Sequence, residues 1–406
     1  MPKINTDVEA FARIKIIGVG GAGKNATNFM IKSKVQGVEF IAINADAQDL
    51  HHSLAKKKIH IGKNLTNGLG AGMNPDIGKR AAEETAEEIQ DILKGANMVF
   101  ITAGFGGGTG TGAAPIIAKA AKDLGILTVA VVTKPFMFEG AKRTAIAEDG
   151  LVRLRESVDA LIVIPNDRIL SVAPEGTTME NAFAMSDRIL KEAVEGISDL
   201  ITIPGRINVD FADILTIMGD AGSALMGIGR ATGENRASEA ALQAINSPLL
   251  DISIAGAKGV LLSVAGGDDL TISEIQEAAK IVTESIASDA KVIFGTSQTD
   301  KLKKNEIKIT VIATGFKDTN SGGNNLFQRT AKKEDPGEEK AGFFGGIKKA
   351  EEKEVKEEKS EPKKVEKKPE PKKAEEKPKI LENIPDDDDD DTWDAIPSFL
   401  RRSKLK

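Results

Sequence analysis

Short apolar runs alternate with amphipathic stretches through the first half of the chain. Segments 14–19, 40–44, 98–103, 127–133 and 160–164 are almost wholly apolar, the pattern of strands covered on both faces rather than one. Between them lie stretches with helical spacing, such as 76–94. Buried strands separated by helices predict a Rossmann-like α/β fold with a parallel sheet, in which ligands sit beyond the carboxyl ends of the strands. A longer, central helix follows. Thr177-Thr178-Met179-Glu180 has the capping-box pattern, and Phe183, Ile189, Leu190, Val194, Ile197 and Ile201 recur at helical spacing until Pro204-Gly205. Segments 259–265, 291–295 and 306–314, with a helix capped by Thr271, predict a smaller α+β C-terminal domain ending near Phe316.

Globular patterning stops there. From Glu351 to Lys379 the chain holds only Glu, Lys and Pro apart from Val355, Ser360, Val365 and Ala374. Such a segment cannot bury a core, and its mixed charge and prolines predict a disordered, extended linker over 318–391. Six aspartates, Asp386 to Asp391, precede Trp393, Ile396, Pro397, Phe399, Leu400, Arg401 and Arg402. Apolar anchors in a polar, unfolded end are the pattern of a peptide that folds on a partner.

Composition narrows the chemistry. With 406 residues, 40% of them hydrophobic, the chain can fill two ordinary cores. No run of eighteen apolar residues occurs, and residues 1–11 hold no apolar stretch of signal-peptide length, so a cytoplasmic location without a membrane span is expected. The absence of cysteine excludes disulfides, thiolate metal sites and cysteine nucleophiles. The three histidines, His51, His52 and His60, sit in a Lys-rich stretch, and no all-protein metal site is expected. Fifty-five basic residues against 61 acidic ones give a net charge of -6, without the excess that nucleic acid partners require.

Two glycine clusters carry the candidate chemistry. Gly18-Val19-Gly20-Gly21-Ala22-Gly23 follows the first apolar run and fits the GxGxxG dinucleotide fingerprint, with Asp46 near the position of a ribose-binding acid. Extended to Lys24 it also fits the start of a P-loop, but Asn25 stands where a Ser or Thr should bind magnesium. Both patterns rest on backbone N–H groups aimed at phosphate from a helix N-terminus. The second cluster, Gly104 to Gly112, follows the third apolar run and precedes a helix predicted over 113–124. Neither a dinucleotide nor a P-loop site requires it. Gly106, Gly107, Gly108, Gly110 and Gly112 would let many N–H groups converge on a polyphosphate, with Thr109 and Thr111 as hydroxyl donors.

Residues 106–112 read GGGTGTG, and there the chain resembles the FtsZ proteins, the bacterial form of the tubulin/FtsZ GTPase family. The stretches 20–25, 44–46, 71–75, 134–140 and 208–213 are similar to the family's loops in the family's order, over about residues 11–316 and the tail. The resemblance implies a GTP-binding domain at 11–176 after an extension at 1–10, a central helix at 177–203, a C-terminal GTPase-activating domain at 204–317, and a partner-binding peptide at 392–406. It implies that Gly20, Gly21, Ala22, Gly23, Lys24, Asn25, Asn44, Ala71, Gly72, Glu139, Arg143, Asn166, Phe183 and Asp187 join the second cluster in holding GTP or GDP with Mg²⁺. Phe183 would pack on the purine, and Asp187 would accept from N1–H and the exocyclic amine of guanine.

The family's hydrolytic residues act across a subunit boundary. By resemblance, Asn208, Asp210 and Asp213 of one subunit reach the γ-phosphate held by the next in a head-to-tail filament. Read by spacing alone, Asp210 and Asp213 are equally a helix cap. The resemblance further implies a division ring at mid-cell and docking of membrane-tethering and regulatory division proteins on the terminal peptide. Two other readings stay open on the residues: a filament scaffold that binds nucleotide without hydrolysis, and an NAD-dependent dehydrogenase that would leave the second glycine cluster unused.

Overall fold

The computed structural model describes residues 12–203, 205–247, 253–298, 302–303 and 305–316. The expected extension 1–10, the linker 318–391 and the tail peptide with Trp393, Ile396, Pro397, Phe399, Leu400, Arg401 and Arg402 lie outside the described residues. Among the described residues there are ten strands: β1 Ile14–Val19, β2 Val38–Asn44, β3 Lys57–His60, β4 Met98–Gly104, β5 Leu127–Lys134, β6 Ala160–Pro165, β7 Gly222–Thr232, β8 Gly259–Gly266, β9 Lys291–Gln298 and β10 Glu306–Thr314. They form one sheet in the order β3-β2-β1-β4-β5-β6-β7-β10-β8-β9.

All five apolar runs are strands, paired in parallel. β1 lies between β2 and β4, with Ile14 beside Val38 and Met98, and Val19 beside Ile43 and Ala103. The chain moves outward from β1 to β2 on one side and returns to β4 on the other, so the β1/β4 border is a switch point, where a crevice opens beyond the strand ends. Both glycine clusters leave the sheet at that border. One face of the sheet packs Ile17, Val99 and Ile101 against Ala113 and Ile117. On the other, Ile16, Phe100 and Val131 meet Leu190, Ala193, Val194, Ile197 and Leu200 of the central helix Met179–Thr202. The sheet continues into the C-terminal half because β6 and β7 pair at residues 160–162 and 222–224. There β10 runs antiparallel to β7 and β8, over a third cluster that includes Ala240, Leu262 and Val311.

Several elements differ from the sequence expectation. The helix over 76–94 is two helices, Pro75–Glu84 and Ala86–Leu93. Thr85 interrupts it: its hydroxyl bonds back to the Ala81 carbonyl and accepts from the Gly62 N–H, holding the neighbouring loop against the break. The central helix is capped by Thr178, whose side chain accepts from Asn181 N–H, one residue beyond the expected box. Thr177 instead donates to the Pro174 carbonyl. Strand β3 was not expected, because it is an edge strand whose Lys57 and Lys58 face solvent. β7 was hidden by glycines that disfavour strands. Those glycines serve packing: a Cβ on Gly227 or Gly229 would lie 1.9 Å from the carbonyl oxygens of Ala244 and Ala240, on the helix Arg236–Ile245. Among the described residues no helix is long and apolar enough to cross a membrane.

Candidate functional site

Both glycine clusters turn out to be helix starts rather than open loops. The helix Gly20–Lys32 begins as β1 ends, and the helix Thr109–Asp123, earlier than the expected 113–124, begins four residues after β4. Residues 20–23 and 109–112 are therefore first-turn residues, Lys24 and Asn25 begin the second turn, and only 105–108 form a loop. Neither helix has a side-chain cap, since Val19 and Gly108 occupy the cap positions without such a bond. The N–H groups of two first turns thus lack intrahelical acceptors and carry the positive ends of two helix dipoles. The two ends abut: a Cβ on Gly20, whose φ is +71°, would sit 3.1 Å from the Gly110 nitrogen.

These two ends form the floor of a cavity of about 640 Å³. Of the residues singled out for nucleotide, Gly20, Gly21, Ala22, Asn25, Asn44, Ala71, Gly72, Gly107, Gly108, Thr109, Gly110, Glu139, Arg143, Asn166, Phe183 and Asp187 line it. Gly23, Lys24, Gly106, Thr111 and Gly112 do not, and each has another task; a Cβ on Gly112 would lie 1.9 Å from the Pro75 carbonyl oxygen, so that glycine lets the helix Pro75–Glu84 approach. Gly23 lets the first helix approach β4, since a Cβ there would lie 2.3 Å from the Thr102 carbonyl oxygen. Lys24 is buried and its ammonium lies 2.5 Å from Asp49. Thr111 is buried too, and its hydroxyl accepts from the Gly106 N–H at 3.0 Å, clasping the loop shut.

Residues not foreseen as part of this cavity also line it. Asp46, considered only in the dinucleotide reading, and Asp49 border the first helix end, Leu69, Gly70 and Met73 the rim, and Ser186 the base of the central helix. Asp49 accepts from Lys24 through one oxygen and from the Asn44 amide at 2.8 Å through the other. Asp46 caps the short helix Ala47–His51 by accepting from Asp49 N–H. No local pattern marks Asp49, because its place depends on the fold of β2 against the first helix.

At the opposite wall, the segment after β5 is tied down by two carboxylates. Glu139 accepts from the Phe136 N–H and Asp167 from the Met137 N–H, at 3.0 and 2.9 Å. Glu139 also forms a close ion pair with Arg143. Phe183, 41% exposed, meets buried Phe136 edge to face with centroids 5.2 Å apart. One helical turn on, Asp187 is half-buried and takes no hydrogen bond or ion pair among the described residues. Burial pushes its carboxyl up to about 6.

The cavity's side-chain charge does not favour an anion. Among the described residues its one lining cation, Arg143, is paired with Glu139, and the nearby Lys24 with Asp49, which leaves Asp46 and Asp187 in excess. The groups here that favour an anion are the two helix ends. The described residues hold no group of three or more His, Cys, Asp or Glu suited to a metal ion. A cation here fits only with phosphate oxygens as its main ligands and Asp46 at its margin.

Asn208, Asp210 and Asp213 are elsewhere. They follow the far end of the central helix, and the rise from Asp187 to Thr202 is about 22 Å at 1.5 Å per residue. All three are exposed. Within the chain they serve local structure: Asn208 accepts from the Gly205 N–H at 2.6 Å, and Asp210 with Asp213 forms a capping box on the helix Phe211–Met218.

Comparison with known proteins gives the same outline. Residues 13–174 match the tubulin/FtsZ family GTPase domain, and residues 222–317 match the FtsZ family C-terminal domain. The chain is similar to an empty FtsZ dimer from M. jannaschii, with 46% identity over 75% of this chain and 88% of that one and a TM-score of 0.72. A point mutant of FtsZ from M. jannaschii aligns at 45% identity over 76% of this chain and 92% of that one, with a TM-score of 0.73. CetZ2 from Haloferax volcanii, solved as a GTPγS-bound protofilament, shares the fold at 22% identity, a TM-score of 0.65 and coverage of 75% and 94%.

Proposed function

The chain belongs to the tubulin/FtsZ family and is a tubulin-like GTPase of the filament-forming kind, and on that premise we propose that its active site is completed between adjacent subunits. The helix ends at Gly20 and Thr109 hold the phosphates through backbone N–H groups, with the Thr109 hydroxyl as a further donor. Phe183 packs on the purine, Asp187 accepts from guanine N1–H and its exocyclic amine, and the Glu139–Arg143 pair borders the ribose and phosphates. Bound Mg²⁺ supplies charge neutralisation to a site whose own side chains are net acidic. Asp210 and Asp213 of the next subunit orient and polarise the attacking water, and Asn208 positions it.

One observation supports this reading above the rest: the acid-bearing segment follows the far end of the central helix, about 22 Å of rise beyond Asp187, and none of Asn208, Asp210 and Asp213 lines the cavity, so the cavity of one chain lacks these acids. Assembly then switches hydrolysis on, and loss of the γ-phosphate weakens the contact that placed it. The filament would form the division ring at mid-cell in the cytoplasm. Membrane-tethering and regulatory division proteins would dock on the peptide around Trp393, Ile396, Pro397, Phe399, Leu400, Arg401 and Arg402. The test is phosphate release from GTP, with ATP as control, followed across protein concentration with light scattering and Mg²⁺ present. Turnover per molecule should collapse below a critical concentration. A turnover independent of concentration overturns the shared site.

A further inference from the structure

Lys24 completes the P-loop-like pattern, yet it does not reach the cavity. It stands in the second turn of the helix Gly20–Lys32, 6% exposed, with its ammonium 2.5 Å from one carboxylate oxygen of Asp49. The other oxygen accepts from the Asn44 amide at 2.8 Å. Asp49 itself lines the cavity, and a Cβ on Gly21 would lie 3.6 Å from its Oδ2. This carboxylate therefore borders the first turn of a helix that has no side-chain cap.

We propose that Lys24 is a positioning residue for phosphate binding: as the internal counter-ion of Asp49, it holds that carboxylate and cancels its charge beside the helix end that receives the phosphates. The inference rests on the reading of this helix end as a phosphate site. A buried ion pair contributes little net stability, because desolvating both charges offsets their attraction. Stability alone is therefore a weak reason for a lysine here, and its placement supplies a stronger one. A carboxylate beside unsatisfied N–H groups is drawn to the same positive end as a phosphate, and repels a phosphate that arrives there. Paired with Lys24, Asp49 presents no net charge to the ligand. Without Lys24 it becomes a third uncompensated acid on the cavity wall, beside Asp46 and Asp187. Asn44 cannot replace the lysine, since a neutral amide satisfies a lone pair and leaves the charge. The lysine of a P-loop reaches phosphate directly, whereas this one acts through an acid.

The experiment measures dissociation constants of GDP and guanosine, at fixed Mg²⁺ and low salt, for the full chain, Lys24→Met and the double variant Lys24→Met/Asp49→Asn, with thermal unfolding as a control for fold. Asp49→Asn alone would strand a buried ammonium, so the acid is removed only together with its partner. Lys24→Met should weaken GDP about tenfold, the scale of one uncompensated charge at a partly screened site, and leave guanosine within about twofold. The deficit should shrink in about 0.5 M salt. The double variant should recover GDP affinity to within about threefold of wild type. Lys24→Gln, whose amide can still donate to Asp49, separates charge from hydrogen bonding; it should match Lys24→Met and stands in for it if the methionine variant does not fold. A deficit that persists in the double variant places Lys24 on the phosphates directly and overturns the proposal. Equal losses of GDP and guanosine report a packing defect and overturn it too, as does an unchanged GDP affinity. A wild-type chain that binds GDP no more tightly than guanosine overturns the phosphate reading itself, a result separable from these.

Discussion

The cavity and the acid-bearing segment at residues 205–213 are built on opposite principles. Around the cavity some groups are left unsatisfied: two helix ends go without a side-chain cap and, among the described residues, Asp187 stands without a partner. At residues 205–213 the polar groups are satisfied locally, with Asn208 closing a turn and Asp210 and Asp213 capping a helix. Unsatisfied groups at the end of a rigid sheet wait for a ligand. Satisfied, exposed acids are stable without one, so nothing inside a single chain distinguishes the proposed catalytic task from capping. Where a residue's work lies on a neighbouring molecule, the isolated fold shows only its resting role.

The sharpest way to break that contrast is Asp213→Asn. The amide oxygen can still accept from Asp210 N–H, so the capping box should be kept and the stability held to within about 1 kcal/mol. GTP turnover in assembled protein should fall by roughly two to three orders of magnitude. Turnover that survives, measured as phosphate release above the critical concentration, would leave the acids with a capping role alone.

Next come substitutions within the first glycine-bearing helix and the second cluster. Gly23→Ala places a methyl 2.3 Å from the Thr102 carbonyl oxygen and should destabilise the fold by about 3 kcal/mol, read as a shift in the urea midpoint. Gly107→Ala meets nothing within 4 Å, so it should unfold like the wild type while weakening GTP affinity through crowding of the phosphates. Equal unfolding midpoints for both would remove the distinction between packing and binding glycines.

The smallest expected effect is a pH dependence. Asp187 titrates at about 6 in the folded chain, raised by burial from an ordinary value of 3.8. The neutral form is therefore favoured by folding, and this contribution is full below pH 4 and lost as pH rises through 6. Guanine recognition needs the ionised form, so the sign for binding is opposite. GDP affinity should be full at pH 7 and about tenfold weaker at pH 5, with Asp187→Asn flattening the profile. A flat wild-type profile in calorimetric titration would detach Asp187 from the base.

Much of the fold was legible along the chain. The apolar runs at 14–19, 98–103 and 127–133 needed no tertiary help to be recognised as strands, because burial on both faces demands near-continuous apolar sequence. The glycine clusters identified the cavity by the same route, since a helix starting directly after a buried strand is the usual phosphate platform. Less was legible where neighbours settled the outcome. Thr85 breaks a helix at the point where the loop at Gly62 docks on it. Lys24 follows a P-loop-like pattern but is drawn to Asp49 across 25 positions of sequence.

By itself, then, the sequence determined the parallel sheet, the central helix and the position of a nucleotide site at the strand ends, because hydrophobic period and backbone permissiveness are local properties. Only the tertiary structure decided which of the marked residues line the cavity. It turned Gly23, Lys24, Gly106 and Thr111 to structural work and brought Asp49 and Ser186 to the cavity wall. It also made strand β7 from glycines whose use is the close approach of another helix. Such assignments depend on distances between segments far apart in the chain, and no local pattern carries them.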